Sequence, residues 1–346
     1  MSTDAAPEGL RKRNWFVLGL IGLTSLLTIS VAVVLGAWSL ANYRFVSPSE
    51  IPETVFVVPD GAGINSVAGK LEREGLIDSA SIYKAVMRFR DPDAKLVPGE
   101  FAIPAGASME EITEVLKSGK VILYRLTIPE GRTTAQVLRA VEADEVLVGD
   151  TPELESEGVL LPETYTFPRG TTRAQIVEQM RDAQDSALAE LWAGREAGLP
   201  LDSPEEALIL ASIVEKETGM DGERAEVAGV FVNRLRRGMR LESDPTIIYG
   251  ISKGEPLGRG LRRSEIDRRT DWNTYQIDGL PPTPIANPGR EAIAAVLRPA
   301  DTDALFFVAD GTGGHVFART YAEHLRNVRK WRQIEAEMRR RQRENQ

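Results

Sequence analysis

The sequence predicts an α+β protein in which one membrane-spanning helix precedes a small β/α module and a mixed α/β domain. Three observations predict this fold class. An uncharged apolar run occupies residues 15–40 near the N-terminus. A strand-like run that ends in Pro-x-Gly and leads into helical spacing occurs four times between residues 54 and 180. From about residue 204 onward, helix start and stop signals flank longer apolar segments.

The N-terminal segment predicts a membrane anchor. Arg11, Lys12 and Arg13 precede a run from Asn14 to Tyr43 that contains no charged residue. Its apolar part, residues 15–40, exceeds the ~20 residues that cross a bilayer as a helix. Basic residues on the N-terminal side predict that residues 1–14 are cytoplasmic and that the C-terminal domains lie in the periplasm or extracellular space.

The anchor is expected to be retained. Ser39-Leu40-Ala41 is similar to a cleavage site, but the apolar core of a signal peptide is usually only about 7 to 15 residues long. We therefore expect a single-pass protein of the cell inner (cytoplasmic) membrane, with a linker at residues 41–53.

The composition excludes several classes of function. The chain has 346 residues, of which 42% are hydrophobic, so it can form two or more packed domains. Its formal charge of -9 is spread along the chain, which argues against a nucleic-acid partner. It contains no cysteine and only two histidines, which argues against thiolate nucleophiles and zinc-type sites. We therefore expect no metal and no cofactor, and catalysis that depends on carboxyl groups.

The repeated pattern predicts four strand-turn-helix units. In each copy an apolar residue follows the proline by eight positions and a second apolar residue follows four positions later, on the same helical face. The proline ends the strand and the glycine allows the turn. Chance reuse of a common β-turn-α connection would give the same α+β prediction. The copies are Val58-Pro59-Asp60-Gly61 with Val67 and Leu71, Ile103-Pro104-Ala105-Gly106 with Ile112 and Leu116, Ile128-Pro129-Glu130-Gly131 with Val137 and Val141, and Phe167-Pro168-Arg169-Gly170 with Ile176 and Met180.

The first two copies lie in a segment with its own resemblance. The strings VVPDGAGINSVAGKLEREGLI and LVPGEFAIPAGASMEEITEVLKSG resemble the LysM-like domain that precedes the catalytic part in one family of cell-wall enzymes. The resemblance implies a LysM-like module at residues 54–122. The alternative is a spacer that lifts the next domain off the membrane, since the segment has few aromatic residues for stacking on sugars. Residues 123–155 are expected to be a connecting β/α segment.

The stretch LILASIVEKETG, Leu208 to Gly219, predicts a buried helix with charged residues at its end. Ser203 as N-cap, Pro204 and a glutamate at position 206 predict that the helix begins at Pro204 and ends near Thr218. At 100° per residue, Glu215 shares a face with Leu208 and Ala211, with Ser212 beside them.

The same geometry suggests a role for Glu215. Small neighbours leave room for a ligand, and desolvation would raise the pKa of the carboxyl group toward ~6 and make it a general acid. Glu217 lies on the opposite face, and a polar helix end that simply meets solvent is the alternative.

Five strings in order carry a resemblance to a known family. They are EGVLLPETYTFPRGTT, LASIVEKETG, VAGVFVNRLRRGMRLESDPTIIYG, WNTYQIDGLPPTPIANPG and LFFVADGTGGHVFARTYAEHLRNV. Together they resemble the endolytic murein transglycosylases of the MltG or YceG-like family, and imply a mixed α/β catalytic domain at residues 156–330 with a polar helical tail at 331–346. The resemblance places Glu215 at the position of the catalytic glutamate. It also places a set of residues in motifs that line the cleft: Glu163, Tyr165, Asn233, Ser243, Asp244, Thr246, Tyr249, Asn273 and Tyr275.

The resemblance implies a lytic transglycosylase that cleaves the MurNAc-GlcNAc bond within nascent peptidoglycan strands and leaves 1,6-anhydroMurNAc ends. One carboxyl group suffices, because the muramoyl 6-hydroxyl attacks its own anomeric carbon. Peptidoglycan synthases are the implied partners. Two alternatives stay open: a hydrolysing muramidase, which needs a second carboxylate such as Glu163, Glu217 or Asp244, and a non-catalytic wall-binding or division-scaffold protein.

The sequence departs from the usual family pattern at four positions. Glu242 replaces a glutamine and adds a charge beside Asp244, which changes the expected electrostatics of the cleft. The other departures are Glu163 for an aspartate, Thr283 for a glycine and Trp272 for a tyrosine.

Overall fold

A computed structural model describes residues 8–218 and 222–344. The chain divides into two compact units, residues 1–123 and residues 124–346. The first helix, α1, spans Glu8–Val46. Its segment Trp15–Val46 is long and apolar enough to cross a membrane, with a mean hydropathy of 2.4 and no buried residue in its most apolar window.

The first unit contains a two-stranded sheet whose buried side chains form part of its hydrophobic core. Strand β1 pairs with β2 in antiparallel fashion, with Phe56 opposite Phe101. Both phenylalanines and Tyr83 are fully buried, and Thr113 Oγ1 donates to Tyr83 Oη at 2.9 Å. After α1, the elements are β1 Thr54–Val58, α2 Ile64–Arg73, α3 Ala80–Arg90, β2 Gly99–Ile103 and α4 Met109–Lys117.

The second unit is larger and mostly helical. Strand β3 pairs with β4, and β5 pairs with β6 in antiparallel fashion. In chain order its elements are β3 Leu123–Thr127, α5 Thr134–Ala143, β4 Thr164–Pro168, α6 Arg173–Ala193, α7 Pro204–Glu217, α8 Arg224–Arg236, α9 Asp244–Ser252, α10 Arg263–Ile266, α11 Arg290–Leu297, β5 Phe306–Ala309, β6 His315–Ala318 and α12 Tyr321–Glu344.

Helices α7, α8 and α11 form the centre of the second unit. Helix α7 is buried on nearly every side, from Ala207 to Glu215. Helix α8 approaches the chain at residues 300–302 through Gly229, where a Cβ atom would lie 2.8 Å from Thr302 Cγ2 and 2.9 Å from the Ala300 carbonyl oxygen. Helix α7 packs against both α8 and α11, and two glutamates lie at its C-terminal end.

The four predicted strand-turn-helix units are confirmed. The strands β1 to β4 lead into α2, α4, α5 and α6, and the eight apolar residues that define the pattern are all at most 1% exposed. The turn glycines at positions 61, 106, 131 and 170 all have positive φ, between 69° and 91°, a conformation that glycine adopts without steric cost. A capping box of Ser108 and Glu111 is present on α4.

Two local predictions differ from the structure. Helix α1 continues to Val46, into the predicted linker, because Phe45 packs into the core of the first unit. Ser203 caps α7 as predicted, but the Glu206 carboxylate accepts from the Asp202 N–H rather than from the cap residue. The predicted end of α7 near Thr218 is confirmed, and Gly219, the last residue of the quoted stretch, lies outside the described residues.

Candidate active site

Two glutamates at the C-terminal end of α7 point to different surroundings. Glu215 and Glu217 are two positions apart, which separates their side chains by about 200° around the helix. Thr218 ends the helix, and its N–H donates to the Val214 carbonyl oxygen at 3.2 Å. The contacts on the two faces therefore decide which carboxyl group a ligand can reach.

The Glu215 carboxylate is bound by other groups of the protein. The Gly289 N–H donates to Glu215 Oε2 at 3.0 Å, and Arg224 Nη2 lies 3.6 Å from Glu215 Oε1. Arg224 also contacts Glu130 Oε2 and Glu291 Oε2, each at 2.8 Å. Glu215 is only 9% exposed. These contacts describe a carboxylate in a buried ion-pair cluster that joins α7, α8, α11 and the turn before α5.

The space predicted beside Glu215 is filled. Ser212 Oγ accepts from the Ile285 N–H at 3.0 Å, so the segment of residues 285–289 lies along the face that carries Ala211 and Ser212. The small residues therefore admit another part of the chain rather than a ligand. This corrects the expectation that Glu215 faces an open groove.

The raised pKa that is expected for Glu215 is found at Glu217 instead. Burial, with a smaller contribution from the nearby Asp244 charge, raises the pKa of its carboxyl group from 4.5 to about 7. Ser243 Oγ donates to Glu217 Oε1 at 2.5 Å, which opposes that rise because the hydrogen bond stabilises the carboxylate. A carboxyl group with this pKa holds a proton for part of the time at neutral pH.

Glu217 opens onto a cavity of about 430 Å³. Its polar lining includes Arg234, Glu242, Asp244, Tyr275 and His324, and its apolar lining includes Leu241, Phe307, Val308 and Val328. The residues come from α7, α8, the start of α9, strand β5 and α12, and from the loops that carry Leu241, Glu242 and Tyr275. A saccharide that entered this cavity would meet both acidic groups and hydrogen-bond donors.

Asp244 is paired with a tyrosine in this cavity. Tyr275 Oη donates to Asp244 Oδ1 at 2.8 Å. Burial, and then the Asp244 charge, raise the pKa of Tyr275 above its usual range. Tyr275 therefore remains a hydrogen-bond donor at neutral pH.

Hydrogen bonds to two buried threonines hold Ser243 beside Glu217. The Ser243 N–H donates to Thr274 Oγ1 at 2.9 Å, and Thr246 Oγ1 donates to the Ser243 carbonyl oxygen at 2.6 Å. Thr246 and Thr274 hydroxyls are themselves 2.9 Å apart. Because all three residues are at most 1% exposed, this network fixes the start of α9 rather than contacting a ligand.

Arg234 lines the cavity of Glu217, although it is not among the residues expected in the cleft. It is only 7% exposed and donates to the carbonyl oxygens of Leu305, Arg240 and Leu241. Its Nη1 also lies 2.9 Å from Glu242 Oε2. This arginine therefore ties α8 to the loop before α9 and to the strand β5 region.

Both histidines lie near the candidate site. His315 Nδ1 lies 2.8 Å from Glu223 Oε2, and the His315 charge, when present, lowers the pKa of Glu217. His324 lines the cavity and its ring lies 5.2 Å from that of Phe306. Burial lowers the pKa of His324. The string LFFVADGTGGHVFARTYAEHLRNV contains both histidines, but the sequence alone gives no signal of their roles.

The other residues expected in the cleft are placed elsewhere. Glu163 is exposed at the start of β4, and buried Tyr165 donates to the Leu161 carbonyl oxygen at 2.6 Å. The side-chain amides of Asn233 and Asn273 donate to backbone carbonyl oxygens, of residues 302 and 304 and of residues 265, 266 and 268 respectively. Tyr249 lines a separate cavity. Of the expected set, Asp244 and Tyr275 line the cavity of Glu217, and Ser243 contacts Glu217 directly.

Comparison with known proteins places these observations in a family context. A model of the YceG-like family matches residues 56–330. An endolytic murein transglycosylase of Streptococcus pneumoniae serotype 2 is 29% identical over 351 residues, covering 85% of this chain and 62% of the relative. The chain therefore spans less than two thirds of that relative's length.

Two further comparisons cover more of the related proteins. An endolytic murein transglycosylase of Bacillus subtilis is 28% identical over 308 residues, covering 79% of this chain and 83% of the relative. The solved structure of a yceG-like protein from Listeria monocytogenes is 26% identical, covers 79% of this chain and 98% of that one, and has a TM-score of 0.49.

Proposed function

Because the chain belongs to the YceG-like family, we propose that it is a membrane-anchored endolytic transglycosylase of peptidoglycan, with Glu217 as its general acid and base. The names of the two curated relatives support the activity. The observation that carries the assignment of the acid is the raised pKa of Glu217, about 7, in a cavity that a ligand can enter.

The proposed reaction uses one carboxyl group twice. Protonated Glu217 gives its proton to the oxygen that bridges MurNAc and GlcNAc as the bond to the anomeric carbon breaks. The muramoyl 6-hydroxyl then attacks that carbon, and the Glu217 carboxylate takes the hydroxyl proton. The products are a 1,6-anhydroMurNAc end and a new GlcNAc hydroxyl, so no water is consumed and Glu217 returns to its protonated form.

Asp244 and Tyr275 are proposed to support the transition state. An oxocarbenium-like centre carries positive charge, and the Asp244 carboxylate is the anionic group that lies beside Glu217 and Ser243 in this cavity. Tyr275 holds Asp244 through its hydroxyl. The negative charge of Asp244 therefore has two roles, since it also favours the protonated form of Glu217.

Glu215 is proposed to be structural. Its two oxygens already receive the Gly289 N–H and the Arg224 guanidinium, and segment 285–289 covers its face. The role that the family resemblance assigned to Glu215 therefore passes to Glu217 in this proposal.

The anchor and the first unit are proposed to place this activity at the membrane. Helix α1 is consistent with a single-pass anchor, with residues 1–14 in the cytoplasm and the rest in the periplasm or extracellular space. The separate core of the first unit supports a LysM-like module at 54–122, followed by the connecting segment 123–155 and the catalytic domain 156–330. Cleavage close to the membrane would limit the length of strands made by peptidoglycan synthases.

A hydrolysing muramidase is the second candidate, because Asp244 supplies a second carboxyl group in the cavity of Glu217. Digestion of purified sacculi in ¹⁸O-labelled water, with mass analysis of the glycan ends, separates the two. Unlabelled 1,6-anhydro ends support the transglycosylase, and labelled reducing ends support the hydrolase. Intact strands after incubation with folded protein would instead favour a non-catalytic scaffold.

A further inference from the structure

A second cavity of about 660 Å³ lies in the second unit and has no part in the proposed reaction. Ala135 at the start of α5, Leu208 in α7 and Lys253 after α9 line it, together with Glu157, Tyr249 and Trp272. Its volume is within the range of about 300 to 1,000 Å³ that is usual for small-molecule sites.

Two aromatic rings, inclined at 60° to each other, line this cavity. The centroids of Tyr249 and Trp272 are 5.8 Å apart. Trp272 Nε1 donates to Thr283 Oγ1 at 3.0 Å, which fixes the plane of the indole. An aromatic ring in this lining suits the face of a pyranose ring, because the C–H groups of that face carry partial positive charge and an aromatic face is negative.

The charges around the cavity disfavour an anionic ligand, and Lys253 already places a cation over the aromatic rings. Three glutamates, at positions 155, 157 and 205, and one lysine, Lys253, are the charged residues among its described lining. The glutamates repel an anion. An incoming ammonium group would meet Lys253, whose Nζ already lies 3.8 Å from the Trp272 ring centroid and 4.9 Å from that of Tyr249.

The same polar groups suit a ring with hydroxyl and amide groups. Glu157 is held in place, since its Oε1 accepts from Thr134 N at 2.6 Å and its Oε2 accepts from Tyr249 Oη at 3.2 Å. The carboxylates can accept from sugar hydroxyls, and Lys253 can donate to an acetamido oxygen. An N-acetylated amino sugar has this chemistry, because it is neutral, carries several hydroxyl groups and has one apolar face.

The two cavities lie at opposite ends of the same two helices. Helix α7 contributes Leu208 to this cavity and Glu217 to the candidate active site, and α9 begins with Asp244 and ends beside Lys253. Nine residues of helix separate each pair, which is about 14 Å. A polymeric substrate could therefore be held by a second contact while it reacts at Glu217, and such a contact raises the effective concentration of the reacting bond.

We propose that this cavity is a second saccharide-binding site, which takes an N-acetylated amino sugar of the glycan at a distance from the bond that is cleaved. Simultaneous binding of one strand at both sites rests on the proposed function. Binding of the sugar at this cavity does not depend on the proposed function.

The test uses the full chain in detergent as the Glu217→Gln variant, labelled with 5-fluorotryptophan, and the tetramer of N-acetylglucosamine as the probe. The chain has five tryptophans, so ¹⁹F spectra give a small number of signals, and loss of one signal in Trp272→Leu assigns Trp272. Addition of the tetramer is expected to shift the Trp272 signal in a saturable way and to leave the signal of Trp192 unchanged.

A blocking variant gives a matched control. Ala135 is exposed where it lines the cavity, and Ala189 is exposed on α6 outside it. Ala135→Phe is expected to weaken the saturable shift at least tenfold, and Ala189→Phe to leave it unchanged. Both replacements add an exposed side chain and remove no internal contact, so both proteins should fold.

The outcomes separate this proposal from the proposed function. With Glu217 restored, Ala135→Phe should raise the KM for long strands at least fivefold, with kcat and the cleavage of short fragments unchanged. A Trp272 signal that the tetramer does not shift, or an equal shift in Ala135→Phe and Ala189→Phe, would overturn the second site. A wild-type protein that binds the tetramer at Trp272 but never cleaves strands would overturn the proposed function alone.

Discussion

Ser243 Oγ donates a hydrogen bond to Glu217 Oε1, and the next residue along the chain, Asp244, places a negative charge near the same carboxyl group. The two neighbours act in opposite directions. The hydrogen bond stabilises the Glu217 carboxylate, whereas the Asp244 charge favours its protonated form. Burial raises the pKa of Glu217, and two adjacent residues at the start of one helix adjust it in opposite directions.

The two glutamates at the end of α7 give the first prediction. Glu217→Gln should reduce strand cleavage by a factor of about 10² to 10⁴ without loss of stability, because it removes a positioned proton donor. Glu215→Gln should keep the chemistry and lower the free energy of unfolding by about 1–3 kcal/mol, because Arg224 loses one of its charged partners. Turnover and denaturant unfolding of both purified variants check this. Equal loss of turnover in both folded variants would contradict it.

The second prediction concerns the pH dependence of activity. Since the reaction needs protonated Glu217, and its pKa is about 7, kcat/KM should fall as the pH rises through about 7. Asp244→Asn should move this alkaline limb to lower pH, and Ser243→Ala should move it to higher pH. Rate profiles of the three proteins provide the measurement. Shifts of the limb in the same direction would be inconsistent with the two contacts.

The third prediction concerns the pH dependence of stability. The pKa of Glu217 is higher in the folded protein than its ordinary value of 4.5, so the folded state binds more protons than the unfolded state between pH 4.5 and about 7. The contribution of Glu217 to stability must then decrease as the pH rises across this window. Relative to wild type, Glu217→Gln should become more stable with rising pH. A difference in unfolding free energy that does not change with pH would rule out the raised pKa.

The fourth prediction compares two glycines inside helices. Gly229→Ala should cost about 1–3 kcal/mol, because the new methyl group would overlap Thr302 and the Ala300 carbonyl oxygen. Gly69→Ala should stabilise its own unit by about 0.4–1 kcal/mol, because at that position a Cβ atom meets only the flexible Arg73 side chain, at 3.4 Å. Thermal unfolding of the two variants checks both signs, and a neutral Gly229→Ala would show that α8 can move.

The local parts of the fold were predictable from the sequence. The Pro-x-Gly turns, the apolar pairs such as Val67 and Leu71, and the cap of α7 at Ser203 depend on residues within about ten positions of each other. Such patterns are governed by backbone geometry and helical periodicity, so they can be read without the tertiary structure.

The candidate site was less predictable, because its decisive contacts join distant parts of the chain. Periodicity correctly placed Glu215 beside Ala211 and Ser212, but not the segment of residues 285–289 that fills that space. Likewise, Asn233 and Asn273 are polar residues in recognised motifs, yet their amides satisfy buried backbone carbonyl oxygens. A polar residue in a motif can hold a loop as readily as it holds a ligand.

The titration of the Glu217 carboxyl group tests the central claim most directly. In ¹³C spectra of protein labelled at the glutamate carboxyl carbon, the signal that is missing from Glu217→Gln identifies this group. The account predicts that this signal titrates with a midpoint near pH 7. A midpoint near 4.5, with the carboxylate formed throughout the neutral range, would contradict the assignment of Glu217 as the proton donor.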